Sequence, residues 1–153
     1  MCAKVRKYRI NNLEKVRIKE KTKRQTDKYK EYRKQYLIEH KKRNVHVYAW
    51  RTLLRNTIKR LSIKKIDKTI NMLGYSALDL KIHLENLFTP QMSWENYGEW
   101  HVDHIVPVSS FEKDTPASVV NDLSNLQPMW ATTRVIDGIL YEGNLNKGKK
   151  IKR

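Results

Sequence analysis

An aspartate and a histidine stand side by side at positions 103 and 104, where a carboxylate and an imidazole together could serve a metal ion or a proton transfer. Residues 100–111 around them are rich in β-branched and aromatic types and predict a strand, which Pro107 limits to a sheet edge. In a regular strand, Asp103 and His104 would point to opposite faces. A shared site therefore requires a twist, a bulge or a strand end. His101 falls on the same nominal face as Asp103, where it could touch phosphate or metal, although a surface or packing role is the one expected.

Two asparagines accompany this pair. Asn125 opens the short apolar stretch Asn-Leu-Gln-Pro-Met-Trp, which predicts a second strand, and Asn144 opens Asn-Leu-Asn-Lys-Gly-Lys, which is typical of a helix start. Between them, Asp137-Gly138 with apolar flanks predicts a two-residue β-hairpin. An Asp-His pair alone is usually structural, but the asparagines favour a catalytic strand-strand-helix unit.

Composition limits the class of protein. The chain has 153 residues with 32 Lys and Arg against 16 Asp and Glu, and 39% hydrophobic residues suffice for one modest core. Its single cysteine, Cys2, cannot form an internal disulfide or a cysteine-built zinc ribbon, so any bound metal needs nitrogen and oxygen ligands. No apolar run reaches the roughly 20 residues of a bilayer span, and no apolar signal core follows the basic start. We therefore expect an intracellular protein without a membrane anchor.

The positive charge is concentrated in the first part of the chain. Residues 1–70 contain 24 Lys and Arg against 6 Asp and Glu, whereas residues 71–153 contain 8 against 10. A net charge of +18 over 70 residues favours a polyanionic partner, and we expect nucleic acid. A solvated charged helix is the alternative interpretation.

Residues 13–42 contain no Gly or Pro and predict one long basic helix, whereas the first twelve residues are expected to be disordered. Tyr29, Tyr32 and Tyr36 form an aromatic stripe on this helix. The stripe could pack against another helix or a second copy of the chain, giving a homodimer, or it could lie along a nucleic acid.

Two further helices are predicted. Residues 44–62 carry an apolar stripe with Arg51, Arg55, Lys59 and Arg60 on the opposite face. Ser76, with Asp79 three residues later, predicts the capped start of a helix over 77–88. We expect a basic helical arm over residues 1–43 and a globular part over 44–153.

Three blocks resemble the HNH endonucleases, the ββα-metal or His-Me finger group: Asp103-His-Ile-Val-Pro107, Asn125-Leu-Gln-Pro128 and Asn144-x-x-Lys147-Gly148. The preceding Leu73-Gly-Tyr-Ser76 and Met92-Ser-Trp-Glu-Asn-Tyr-Gly-Glu-Trp-His101 are similar to the version common in phage genomes, where such nucleases are free-standing or intron-associated, as homing endonucleases are. The resemblance covers about residues 70–148. It implies an α+β fold, in which the basic helices precede a small ββα-metal head over about residues 100–153, with the hairpin as an insertion.

The resemblance also implies roles for individual residues. Asp103 matches the metal-binding acid, His104 the general base, and Asn125 the asparagine that ties the loop together and helps hold the histidine. Asn144 matches the second metal ligand, with Asn146 as the competing choice. Eighteen residues separate Asn125 from Asn144, more than is usual in the family, and the predicted hairpin accounts for the excess.

These residues suit phosphodiester hydrolysis, which needs positive charge at the phosphate and a base beside the attacking water. A carboxylate and an amide oxygen favour one Mg²⁺ or Mn²⁺ over Zn²⁺. A neutral His104 can take the proton of the water. The expected partner is DNA, most simply double-stranded. The expected phosphate contacts are Arg51, Arg55, Lys59, Arg134, Lys147, Lys149 and Lys150.

Two other functions fit the same sequence. One is a non-catalytic nucleic-acid-binding or packaging protein with a vestigial nuclease motif, which the filled ligand and base positions disfavour. The other is an RNA-directed nuclease or RNA-binding protein, which the basic arm would serve equally well.

Overall fold

The computed structural model describes residues 3–144. Helices and short antiparallel strands both occur among them, so the fold is α+β, as the sequence predicts. The chain divides into two compact units between Arg43 and Asn44. No helix of the described residues combines the length and the apolar character that crossing a membrane requires.

The first unit consists of three helices, α1 (Ala3–Asn11), α2 (Leu13–Gln25) and α3 (Asp27–Arg43). The prediction of disorder before residue 13 is wrong, because α1 lies there. The prediction of one uninterrupted helix over 13–42 is also wrong, because Thr26 is extended with ψ of 141°. Its hydroxyl donates to the Lys23 carbonyl and accepts the N–H of Tyr29, and these bonds end α2 and cap α3.

The aromatic stripe lies along α3 as the spacing predicts. Successive ring centroids of Tyr29, Tyr32, Tyr36 and His40 are 6.4, 6.5 and 5.8 Å apart. Tyr32 and Tyr36 are exposed, and none of the residues of α2 and α3 is buried. The side chains of α2 and α3 therefore all lie at least partly at the surface, where Lys and Arg surround one row of aromatic rings.

The second unit contains helices α4 (Val45–Leu61), α5 (Thr69–Leu73), α6 (Ala77–Glu85) and α7 (Ala117–Val120). Helix α4 matches its predicted bounds closely and buries Trp50, Leu53 and Leu54. Helix α6 begins where predicted but ends three residues before residue 88. The short helices α5 and α7 were not predicted from the sequence.

The predicted capping box at the start of α6 is present. The Ser76 hydroxyl accepts the Asp79 N–H at 3.2 Å, and the Asp79 carboxylate accepts the Ser76 N–H at 2.8 Å. Gly74, with φ of 81°, ends α5 in the left-handed conformation that glycine adopts without strain. The chain therefore turns sharply from α5 into α6.

Four strands form two antiparallel pairs. Strand β1 (Trp100–His104) pairs with β2 (Leu126–Trp130), so that Asp103 lies opposite Gln127. The predicted hairpin is also present, as β3 (Arg134–Ile136) and β4 (Ile139–Tyr141) joined by Asp137-Gly138. Both turn residues have positive φ, 51° and 79°, as a type I′ turn requires.

The core lies between the helices and the β1–β2 pair. Trp100 and Trp130 are fully buried, and Trp94 packs against Trp100 from a partly buried position. The Trp100 indole N–H donates to the Ser93 carbonyl at 2.7 Å, and that of Trp130 donates to the Thr89 hydroxyl at 3.0 Å. These tryptophans fix both strands against the helices.

Candidate active site

Asp103 and His104 lie at the end of β1 and line one cleft of about 480 Å³. Strand β1 stops at His104, and the next residue is held by a bond from the Ile105 N–H to the Asn125 carbonyl at 2.9 Å. Asp103 and His104 are the last two paired residues of β1, opposite Gln127 and Leu126, and both contribute to the lining of the cleft. The position of the pair at a strand end is one of the arrangements that the sequence analysis considered.

Asn144 meets Asp103 although 41 positions separate them. The Asn144 Nδ2 donates to the Asp103 Oδ2 at 2.9 Å. The chain returns to this point because Gly143 bridges to Trp130 and the Asn144 N–H donates to the Trp130 carbonyl at 2.8 Å. The hairpin β3–β4 therefore leaves the end of β2 and comes back to it, so the inserted residues do not displace Asn144.

Asp103 and Asn144 could each give a divalent cation one oxygen ligand, although 2.9 Å is also the length of an ordinary hydrogen bond. Oxygen ligands at the 2.0–2.1 Å distance of octahedral Mg²⁺ lie about 2.9 Å from their neighbours in the shell. A rotation of the Asn144 amide about its last torsion would place an oxygen where Nδ2 lies. No group of three or more His, Cys, Asp or Glu occurs among residues 3–144, so water and a phosphate would have to complete such a shell.

The imidazole of His104 is oriented by a buried amide. His104 Nε2 lies 3.0 Å from Asn121 Oδ1, and the Asn121 Nδ2 donates to the Ala117 carbonyl at 2.7 Å. Because a carbonyl can only accept, this second bond fixes Oδ1 as the atom that faces the histidine. The proton therefore lies on Nε2, and in the neutral ring Nδ1 carries the lone pair.

Asn121 itself is held by three elements and is completely buried. The Thr57 hydroxyl of α4 lies 2.9 Å from its Oδ1, and the Tyr75 hydroxyl donates to its carbonyl oxygen at 2.9 Å. Burial, with a smaller effect of the Asp122 charge, raises the pKa of Tyr75, so this hydroxyl stays protonated. A fixed amide is what a catalytic histidine needs to keep one tautomer.

Asn125 ties the loop after β1, as the resemblance implies. Its Oδ1 accepts the Val106 N–H at 2.7 Å, and its Nδ2 donates to the carbonyls of Val120 at 2.8 Å and Val106 at 3.3 Å. The implied contact with histidine is different, since His104 Nε2 bonds to Asn121 and not to Asn125. Asn125 is therefore placed to position the loop and not to touch reacting atoms.

Helix α4 forms the opposite wall of the cleft. Asn56, Lys59 and Arg60 line it together with Asp103 and His104. Lys59 was predicted as a phosphate contact, and Arg60 was noted on the same face of the helix. Arg51 and Arg55, also predicted contacts, line a separate cavity on the other flank of α4.

Arg134 lies in a different environment from the other predicted phosphate contacts. Its guanidinium stacks on the Trp130 ring at 3.7 Å from the ring centroid and pairs with the Glu99 carboxylate at 3.2 Å. This arrangement favours a structural role in fastening β3 to β2. His101 contacts the Tyr97 ring edge-on at 5.9 Å between ring centroids, which agrees with packing.

Several predicted residues lie outside the described part of the chain. They are Asn146, Lys147, Lys149 and Lys150, together with the helix that would complete a ββα unit.

Two polar residues of this site were not identified from the sequence. Asn121 contacts His104, and Asn56 lines the cleft. Asn121 follows Val119-Val120 in a segment whose only structural signal is Pro116, a residue typical of helix starts. That signal indicates helix α7 but not which polar side chain at its end faces the histidine.

Comparison of the chain with models of protein families, with curated proteins and with solved structures gives no match.

Proposed function

We propose that the protein is a metal-dependent endonuclease of the HNH type that hydrolyses phosphodiester bonds of DNA. The observation that carries this proposal is the 2.9 Å contact between Asp103 and Asn144 in a cleft that His104 also lines. Side chains of this kind, drawn together from distant positions, are suited to Mg²⁺ or Mn²⁺. The cations of α4 on the facing wall suit a polyanionic substrate.

Asp103 and Asn144 would hold one divalent ion, which when bound stabilises negative charge on the phosphate. His104, whose Nε2–H donates a hydrogen bond to Asn121 Oδ1, would accept a proton from water at Nδ1. The water oxygen then bonds to phosphorus as the bond to the 3′ oxygen breaks, and the leaving 3′ oxygen takes a proton from solvent. The products are a 5′-phosphate and a 3′-hydroxyl, as the resemblance implies. Lys59 and Arg60 neutralise the phosphate oxygens from the other wall.

Plasmid cleavage tests the proposal. With Mg²⁺, the wild-type protein is expected to convert supercoiled plasmid to nicked or linear forms, and His104→Ala is expected to slow this by about 10² to 10⁴. EDTA should abolish conversion. Structured RNA in a parallel reaction tests the RNA-directed alternative. Conversion by His104→Ala at the wild-type rate would refute the role of His104, and failure of the wild type on every substrate would favour a binding protein.

The metal ligand is tested by a pair of variants. Asn144→Ala is expected to raise the Mg²⁺ concentration for half-maximal cleavage at least about tenfold, because the ion loses a protein ligand. Asn146→Ala is the matched control, since it removes the competing candidate from the same segment. A shift with Asn146→Ala alone would transfer the assignment to that residue. Mn²⁺ binding measured by electron paramagnetic resonance gives the same comparison without cleavage.

A further inference from the structure

A second cationic cavity lies on the far flank of α4 from the catalytic cleft. It has a volume of about 790 Å³, within the range of small-ligand sites. At 100° per residue, Arg51, Arg55 and Ile58 project nearly opposite to Asn56 and Arg60 of the cleft. Helix α4 therefore separates two cavities, and Lys59 lies on the exposed surface of the helix between them.

Four cations line this cavity, namely Arg51, Arg55, Lys65 and Lys68. None of the ion pairs between described residues uses any of them, and no Asp or Glu of the described residues is in the lining. The neighbouring acid, Asp67, instead accepts the Lys68 N–H at 2.6 Å and the Asn71 amide at 2.9 Å. The cavity therefore has a strong positive potential, which suits phosphate.

The inner wall of the same cavity is apolar and aromatic. Tyr48, Trp50 and Ile58 from α4 contribute to it, and Ile70 from α5 faces them with 45% of its surface exposed. A base pair within a duplex buries its ring faces in the stack, so duplex DNA could use the cations but not this wall. A base outside a duplex can place its ring face on such a surface.

We propose that this cavity binds a single-stranded nucleotide unit of the substrate, with its base on the Tyr48 wall and its phosphate on Arg51 and Lys68. The inference rests on the proposed function for the identity of the substrate, and it narrows that substrate to nucleic acid with a single-stranded segment near the cut. A strand leaving the catalytic cleft reaches the cavity by crossing α4 at Lys59, a solvent-exposed residue.

Fluorescence anisotropy with a short labelled DNA strand and the matching blunt duplex tests this inference. EDTA is present throughout, so cleavage does not enter the measurement. Tyr48→Ala is expected to weaken single-strand binding about tenfold and duplex binding less than about twofold, because only the single strand stacks on the ring. If Tyr48→Ala weakens single-strand and duplex binding equally, or weakens neither, the proposal is overturned.

The role of the cations in the cavity is tested by comparing Lys68→Ala with the control variant Lys113→Ala. Both remove one exposed lysine of the second unit, but Lys113 lines neither cavity. Lys68→Ala is expected to weaken single-strand binding several-fold more than Lys113→Ala, and equal effects would contradict the site. Circular dichroism and melting temperature verify that each variant is folded.

Competition with a 5′-mononucleotide shows whether the cavity binds a nucleotide within a strand or a free nucleotide. We expect it to displace the strand only at far higher concentration, and displacement at equal affinity would assign the cavity to a free nucleotide and overturn the strand proposal. A protein that binds single strands selectively but cleaves nothing would keep this inference and lose the nuclease proposal.

Discussion

The described hydrogen-bond partner of the His104 ring is a neutral amide, that of Asn121. Asn121 Oδ1 accepts a hydrogen bond from the Nε2–H but carries no charge that would stabilise the imidazolium form. A general base needs to be neutral at the working pH, and a carboxylate in this position would oppose that. A neutral amide at position 121 therefore fits the general-base role that is proposed for His104.

Replacing Asn121 with aspartate tests this role. In Asn121→Asp, the negative charge would favour the protonated imidazole and raise the pKa of His104, so the base would stay protonated to a higher pH. We expect the acid limb of the cleavage rate against pH to move upward by at least about one pH unit.

Thr57→Val provides the matched control. It removes the other hydrogen bond to Asn121 Oδ1 without adding charge. We expect it to lower the melting temperature and leave the acid limb in place. If Asn121→Asp also leaves the acid limb in place, the amide does not control the ionisation of the histidine.

The sequence brought out some residues of the candidate site and could not bring out others, for a physical reason. Asp103, His104 and Asn144 stand in blocks whose residue types suggest chemistry by themselves. Asn121 gains its role from a contact with Thr57, which is 64 positions away, and from complete burial. Long-range packing of this kind leaves no local pattern in the chain.

At the scale of elements, the β3–β4 hairpin leaves and rejoins the chain at one place, because Gly143 lies against Thr132 and Thr133. Gly143 makes this possible, since a Cβ at that position would overlap the backbone of Thr132 and Thr133. The same close approach puts Asn144 next to the end of β2 and within reach of Asp103.

Gly143→Ala is therefore expected to separate the two segments. We expect the free energy of unfolding to fall by about 1–3 kcal/mol from the overlap. Cleavage by the folded fraction is expected to fall by about a hundredfold, because Asn144 moves from Asp103.

Gly138→Ala is the control, because it strains the positive-φ turn of the same hairpin far from Asn144. Denaturant unfolding and plasmid cleavage measure the two effects. Comparable loss of cleavage in both variants would mean that hairpin stability, and not the position of Asn144, limits activity.

The capping box of α6 predicts a pH-dependent stability. Bonds from the Ser76 backbone and hydroxyl lower the pKa of the Asp79 carboxyl below its ordinary 3.8. A lowered pKa means that the stabilisation is complete above about pH 4 and is lost as the pH falls through the folded-state pKa. Asp79→Asn is therefore expected to lower the melting temperature at neutral pH, with the difference shrinking below pH 4. A difference that stays constant at low pH would contradict the linkage.

Helix periodicity predicted α4 and the start of α6 well because both have clear apolar or capping signals. The break at Thr26 was missed because most of the residues around it, such as Arg24, Gln25 and Lys28, are good helix formers. Thr26 followed by Asp27 is a weak helix-start signal, and it became decisive only through bonds to Lys23 and Tyr29. Capping threonines within charged runs are therefore the feature to weigh in similar sequences.

At the scale of the whole molecule, charge separates the two units more clearly than any packing feature. Residues 1–43 contain 17 Lys and Arg against 5 Asp and Glu, so most of their cations have no acidic partner within that segment. A surface of this composition with no buried residue in α2 and α3 gains little from folding alone. Its charge suits the capture of a polyanion.

Replacing exposed lysines of the first unit tests this directly. In the triple variant Lys28→Gln, Lys34→Gln and Lys41→Gln, each lost phosphate contact should reduce the slope of log binding constant against log salt by about 0.9 for duplex DNA. We expect a reduction of up to about 2.7 if all three contact phosphate. Lys113→Gln in the second unit controls for charge loss alone. The salt slope follows the number of phosphate contacts and not the net charge. A triple variant with the same slope as the control would therefore show that these lysines of the first unit do not contact DNA phosphates.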